Sequence, residues 1–180
     1  MRRAARRPPR RRVVHAQPGP RIVVEPLRHG DVGTVAAVFE RLSEDSRRAR
    51  FAGPKPRLGA RELLELASVD ARRHALVAYV EGDPQPVAIA RLARDGDSAE
   101  LGVEVADRWQ RRGLGTLLTA ELVEDARAAG VTSITAFCSG DNAAALALLR
   151  RCLRGIEISF DGPWLWVRGT IPQPASPAAA

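Results

Sequence analysis

The chain has 180 residues, 45% of them hydrophobic, which suits one folded domain with a core and excludes wholesale disorder. Its longest apolar run, residues 143–149, is far too short to cross a membrane, and its 2 cysteines, Cys138 and Cys152, lack a CxxC pair or a histidine at metal spacing. A membrane span, a disulfide scaffold and a zinc module are thereby excluded, no metal is expected, and a reducing cytoplasm is the expected compartment; the net charge of +7 needs separate treatment.

That charge sits at one end. Residues 2–12 hold seven arginines and no acid, and removing them leaves basic and acidic residues equal at 21 each. With Pro8, Pro9, Pro18 and Pro20 among them, residues 1–20 read as a disordered arm that touches polyanions weakly at most, because like charges repel and proline blocks helix. No apolar stretch follows the arginines, so the arm is not read as a signal peptide. A domain is expected over residues 21–170, with a loose tail over 171–180.

Residues 21–25 read as a strand ahead of Pro26, and residues 29–42 as a helix with Val32, Val35, Ala36, Phe39 and Leu42 on one face. A loop with Gly53, Pro54 and Pro56 precedes a second helix over 60–67. Strands over 75–81, 87–93 and 99–105 are separated by Gly82-Asp83-Pro84 and Asp95-Gly96-Asp97, residue types that favour hairpin turns. A helix over 113–129 ends at Gly130; a strand over 131–137, a helix over 143–153 and strands over 156–160 and 165–167 complete the chain. The order β-α-α-β-β-β-α-β-α-β-β predicts an α/β fold with a mixed, mostly antiparallel sheet flanked by helices.

The stretch that carries chemistry runs from Val103 to Thr116. Gly113 and Gly115 allow close approach of backbone to a ligand, and the first amides of the following helix point outward with no intrahelical acceptor, which suits a phosphate. Arg111 and Arg112 add positive charge. A P-loop would need lysine before Thr116, and a dinucleotide fingerprint would need glycine where Leu118 stands and an acid at the end of the next strand; neither is present.

The sequence Gln110-Arg111-Arg112-Gly113-Leu114-Gly115 resembles the Gln-x-x-Gly-x-Gly loop of the GNAT superfamily of N-acetyltransferases, and the likeness extends over roughly residues 21–168. It implies acetyl-CoA as cosubstrate, its pyrophosphate held by the amides from Arg111 to Thr116 and its pantetheine arm by backbone groups of Val103 and Val105. The following helix matches the superfamily pattern at Asn142, Ala145 and Leu148, but Leu149 stands where a tyrosine usually protonates the departing thiolate. The segment from Asp45 through Arg47, Arg48, Arg50 and Phe51 to Pro56 is similar to a loop of bacterial protein-lysine acetyltransferases of the Pat type.

An amine acceptor must lose a proton, since a lysine has a pKa near 10.4. Glu100 and Glu104 lie four apart on one strand, hence on one face, with Gly102 between them leaving a gap for substrate. The Pat resemblance implies Glu100 as the base, with Glu104 second; a bulge in the strand would exchange them. An oxyanion would be held by a backbone amide near Val105. Both cysteines read as core residues. The expected activity is acetyl transfer to a primary amine, either a protein lysine or a small amine. A non-catalytic acyl-CoA sensor and a nucleic-acid-binding protein acting through the arm are the rival readings. Oligomeric state is not legible.

Overall fold

The computed structural model describes the backbone of β1 (Arg12–His15) and residues 20–173. After β1 come β2 (Arg21–Pro26), α1 (Val32–Glu40), α2 (Glu44–Phe51), α3 (Ala60–Leu66), β3 (Arg73–Val80), β4 (Ala88–Asp95) and β5 (Ser98–Val105). A short 3-10 turn at Asp107–Trp109 leads into α4 (Leu114–Ala128), β6 (Ser133–Ser139), α5 (Ala143–Cys152), β7 (Arg154–Asp161) and β8 (Trp164–Thr170). The eight strands form one sheet in the order β1-β2-β3-β4-β5-β6-β8-β7. Every pairing is antiparallel except β5 with β6.

The two sheet faces carry separate cores. On one face α4 and α5 cover Leu76, Ala90, Leu101, Ile134 and Val167, with Leu114, Leu118, Leu122 and Leu149 of the helices packed among them. On the other, α1 and α3 cover Val77 and Ile89, closing over Val35, Val38 and Ala67. The α4 face follows from its spacing: Leu114, Leu118, Leu122 and Ala126 recur at intervals of four and are all buried. Gly130, at φ 83, ends that helix in the left-handed region as its place in the sequence predicts.

Three expectations need correction. Arg12–His15 is a strand paired in register with Arg21–Val24 and not part of a loose arm; the rest of residues 1–19 lies outside the described residues, as does 174–180. The ordered body also extends past residue 170, because Ile171 is buried and its amide bonds the Thr132 carbonyl at 2.9 Å. And the segment read as a loop contains α2. It has no apolar stripe and buries no residue, so periodicity is silent; Ser43 accepting from the Ser46 amide, Glu44 and Asp45 in the first turn, and Arg48 and Arg50 in the last are what make it a helix. Among the described residues no helix is long and apolar enough to cross a membrane.

Candidate active site

Strands β5 and β6 pair at only three positions, Ser98 with Ser133, Ala99 with Ile134 and Glu100 with Thr135, and then part. On its other side β5 stays bonded to β4 along its whole length, from Ser98 opposite Asp95 to Val105 opposite Ala88, without a register shift. The bulge that would exchange the two glutamates is therefore absent. The wedge between β5 and β6 is a cleft of about 870 Å³, lined by Leu101 to Val105, by Ala136 to Ser139, and by the starts of α4 and α5.

The backbone decides what the wedge can bind. In an antiparallel ladder successive residues turn their polar groups to alternate sides. The Ala106 amide bonds Val87 of the β4 side, so Gly102 and Glu104 also face β4, while Val103 and Val105 turn theirs into the wedge. The Val105 carbonyl confirms this direction, because it accepts from the Gln110 side-chain amide at 3.1 Å. The amide of Val105 and both polar groups of Val103 thus form an unpaired strand edge.

At the mouth of the wedge the chain turns into α4. Arg111, at φ 57, and Gly113, at φ 83, take left-handed conformations there. The amides of Arg111 to Thr116 have no backbone acceptor among the described residues. Arg111, Gly113, Leu114, Gly115 and Thr116 line the cleft, the Leu114 side chain turning into the core. Gly115 has a packing reason as well: a Cβ there would lie 2.9 Å from Leu148 Cδ1 of α5, so a side chain would displace the tip of that leucine.

Two of the expected ligand residues have side chains engaged within the protein, Gln110 inside the cleft lining and Arg112 outside it. Arg112 does not line the cleft; its guanidinium lies 4.9 Å from the centre of the Trp109 ring. Gln110 turns its side-chain nitrogen inward, to the Val105 carbonyl, to Ser46 Oγ at 2.9 Å and to Asp107 at 3.0 Å, and so braces the loop against β5 and α2. Trp109 is held in turn by Asp83, which accepts from its indole nitrogen at 2.8 Å and pairs with Arg41. The Arg41 guanidinium holds the Asp83 carboxyl far below the usual carboxylate range. Asn142 caps α5, its side-chain oxygen accepting from the Ala145 amide at 2.9 Å, and lines the cleft.

Glu100 and Glu104 share the face of the sheet that α2 crosses, yet their settings differ. Glu100 is exposed and stands at the last pair before the strands part, outside the cleft lining. Glu104 lines the cleft, and its side chain is only 1% exposed. Arg91 of β4 donates to its Oε1 at 2.7 Å and Arg50 of α2 to the same oxygen at 3.0 Å. Burial pushes the Arg91 guanidinium down and Glu104 opposes this. The gap expected at Gly102 is filled: a Cβ there would lie 2.9 Å from Arg50 Cζ, so the guanidinium lies on the glycine backbone. Neither arginine was legible as a site residue, since Arg91 alternates within an apolar strand and α2 has no core pattern.

Leu149, standing in the tyrosine position, is buried in the core, and Tyr79 packs against the α1 side of the sheet. Cys138 and Cys152 are buried and free, and burial pushes both thiols up, away from nucleophilic character.

A mixed sheet whose single parallel pair splays into a cleft, closed at one end by a glycine-rich helix start, defines an acyltransferase of the N-acetyltransferase type. The profile of the Acetyltransferase (GNAT) family matches residues 36–153, and the chain belongs to that family. The acetyltransferase PA5475 of Pseudomonas aeruginosa is 30% identical over 131 residues, 70% of each chain. The GNAT domain of S. lividans PAT superposes with a TM-score of 0.78 at 23% identity, covering 89% of this chain and 97% of that one. The protein yncA from Salmonella typhimurium, solved with its cofactor acetyl-CoA, superposes with a TM-score of 0.61 at 22% identity over 88% of this chain and 99% of that one. The chain is thus an acetyltransferase of a family that uses acetyl-CoA.

Proposed function

We propose that acetyl-CoA lies along the β5–β6 wedge and that its acetyl group passes to a slim primary amine, a protein lysine side chain. The observation that carries this reading is the run of polar backbone from the unpaired edge at Val103 and Val105 to the free amides of Arg111 to Thr116. These donors match acetyl-CoA in order: an amide-bearing arm pairs with a strand edge as an added strand would, and a pyrophosphate suits outward amides beside Arg111. Acetyl-CoA supplies the activated thioester.

The thioester end then lies near Gly102, at the narrow end of the wedge. An amine reaching Gly102 from the α2 face stands between Glu100 and Glu104, each two residues, or about 6.6 Å of strand, away. Glu104 is already bonded to two guanidiniums and serves to hold a cation. Glu100, exposed and at the parting of the strands, is the carboxylate that takes the proton. The Val103 amide, next to Gly102 and turned into the wedge, is nearer than Val105 to a developing oxyanion. Leu149 leaves the thiolate without a side-chain acid, a role for which a thiol of pKa near 8.5 has little need.

The first test is thermal unfolding of the protein with acetyl-CoA, CoA, NAD and ATP. Ligand at 100 times its dissociation constant adds about 2.7 kcal/mol, a shift of about 5–10 °C for a domain of this size. Shifts with acetyl-CoA and CoA alone are expected, and no shift with either refutes the reading. Acetylation of a capped lysine peptide should exceed that of a small-amine panel in kcat/KM; the reverse ranking gives the site to a small molecule. Glu100→Gln should preserve acetyl-CoA affinity and lower turnover near neutral pH.

A further inference from the structure

The Glu104 site holds more cation than its geometry uses. Both guanidiniums converge on Oε1, at 2.7 Å from Arg91 and 3.0 Å from Arg50, while Oε2 is buried with no hydrogen-bond partner among the described residues. The two arginines are not equivalent. Arg91 rises from a central strand, is 12% exposed in its side chain, and is also fixed by its Nε on the Leu66 carbonyl at 3.1 Å. Arg50 comes from α2, which has no fully buried residue; its side chain is 25% exposed and makes one hydrogen bond among the described residues, that to Glu104, beside a contact with the Phe51 ring. Its charge also repels that of Arg91, adding to the burial that already disfavours Arg91's charge.

We propose that Arg50 is a displaceable stand-in for the acceptor, its guanidinium occupying the place over Gly102 that a primary alkylammonium takes, so that the two cations exchange on Glu104. The inference rests on the reading of the wedge as the acetyl-transfer site. Steric and electrostatic arguments lead to it separately. Arg50 covers Gly102, the point at which an amine must meet the narrow end of the wedge, so no acceptor arrives while it stays. And one carboxylate already faces two cations; a third entering beside them would be repelled, whereas exchange leaves the local charge unchanged. Arg50 is the partner that can leave, because its side chain is 25% exposed and keeps only a contact with the Phe51 ring, 5.0 Å from its centre, once Glu104 is given up, while Arg91 holds Glu104 in place. The missing Cβ at Gly102 leaves room over the backbone for a flat guanidinium and, once that leaves, for an unbranched alkylammonium. Acceptor selection is therefore a competition with a residue of the enzyme itself.

The test separates binding from turnover. The full-length protein saturated with CoA is titrated calorimetrically with n-butylammonium chloride and with Nα-acetyl-lysinamide, for the wild type, Arg50→Ala and Arg50→Gln. Arg50→Gln keeps the helix and much of the side-chain volume, and guards against a folding defect in the alanine variant. A competitor that occupies the site nine-tenths of the time weakens apparent affinity about tenfold, so both variants should bind both amines about tenfold more tightly. That gain should vanish when Glu104→Gln is added to Arg50→Gln. In acetyl transfer to a capped lysine peptide, Arg50→Gln should lower KM with a smaller change in kcat, a split that a purely structural role would not produce. Affinities within twofold of wild type, or weaker in the variants, would overturn the proposal and make Arg50 a structural tether or an acceptor contact. CoA binding is recorded in the same experiments: its presence without a gain in amine affinity overturns the role of Arg50 alone, and its absence overturns the reading of the wedge together with it.

Discussion

Glu104→Ala is the perturbation whose cost follows most directly from the geometry. It removes the only anion that, among the described residues, is bonded to Arg91, whose side chain is 12% exposed, and leaves a guanidinium under the sheet face with the Leu66 carbonyl as its one remaining contact there. Removing one partner of a buried ion pair costs about 3–5 kcal/mol, because the remaining charge stays desolvated. Arg50 adds little to that loss, since it is more exposed. In a domain of 150–250 residues each kcal/mol moves the melting temperature by about 2–4 °C, so a fall of about 6–20 °C is expected. Urea unfolding followed by tryptophan fluorescence checks it with an unchanged m-value. The double variant Glu104→Leu with Arg91→Leu should recover most of the loss, as paired replacement by apolar residues is often neutral or better. A single variant losing less than about 1 kcal/mol, or a double variant worse than the single, would refute the view of this pair as desolvated.

Asp83→Asn should lower stability at pH 7 by removing the anion between Arg41 and Trp109. Hydrogen bonding to Arg41 makes the Asp83 pKa lower in the folded than in the unfolded state, so its contribution is complete above the unfolded value near 3.9 and is lost as pH falls towards the folded one. The urea midpoints of wild type and variant should accordingly converge below about pH 4, and a gap that widens there would contradict the assignment. Asn142→Ala should cost about 1 kcal/mol through the lost cap of α5, read as a lower urea midpoint. Gly113→Ala meets no atom within 4 Å, so its expected cost of about 1–2 kcal/mol is purely that of a left-handed backbone, and it should weaken CoA binding by distorting the loop.

The sequence made the helices and strands of the body legible wherever apolar residues repeat at a period. α4 and the three strands β3 to β5 appear with boundaries displaced by no more than a few residues, and the glycine loop that starts α4 announces its own chemistry. The missed elements share a cause. β1 pairs through its backbone, and its arginine-rich setting hides it from any hydrophobic pattern. α2 is made of caps and charges over Arg47, Arg48 and Arg50, and no alternation reveals that one of those side chains reaches a strand 54 residues away. Gly102 shows the limit most plainly. Spacing identifies a gap between two glutamates, but only the tertiary fold shows that the chain fills that gap with its own guanidinium.

The three-pair junction between β5 and β6 also bears on how the molecule comes apart. Five strands, β1 to β5, form one leaf and three, β6 to β8, the other; among the described residues the two strands at the seam pair at only those three positions, with a further backbone link at their starts, where the Thr132 amide bonds the Asp97 carbonyl at 2.7 Å. This seam is where partial opening should start, and the amides of Phe137 and Ser139, on the side of β6 that faces the wedge, should exchange hydrogen sooner than those of Ala136 and Cys138, which face β8. A molecule bonded to both rims raises the cost of that opening by its own binding free energy. Occupancy of the cleft and cohesion of the sheet are then one equilibrium, read from two ends.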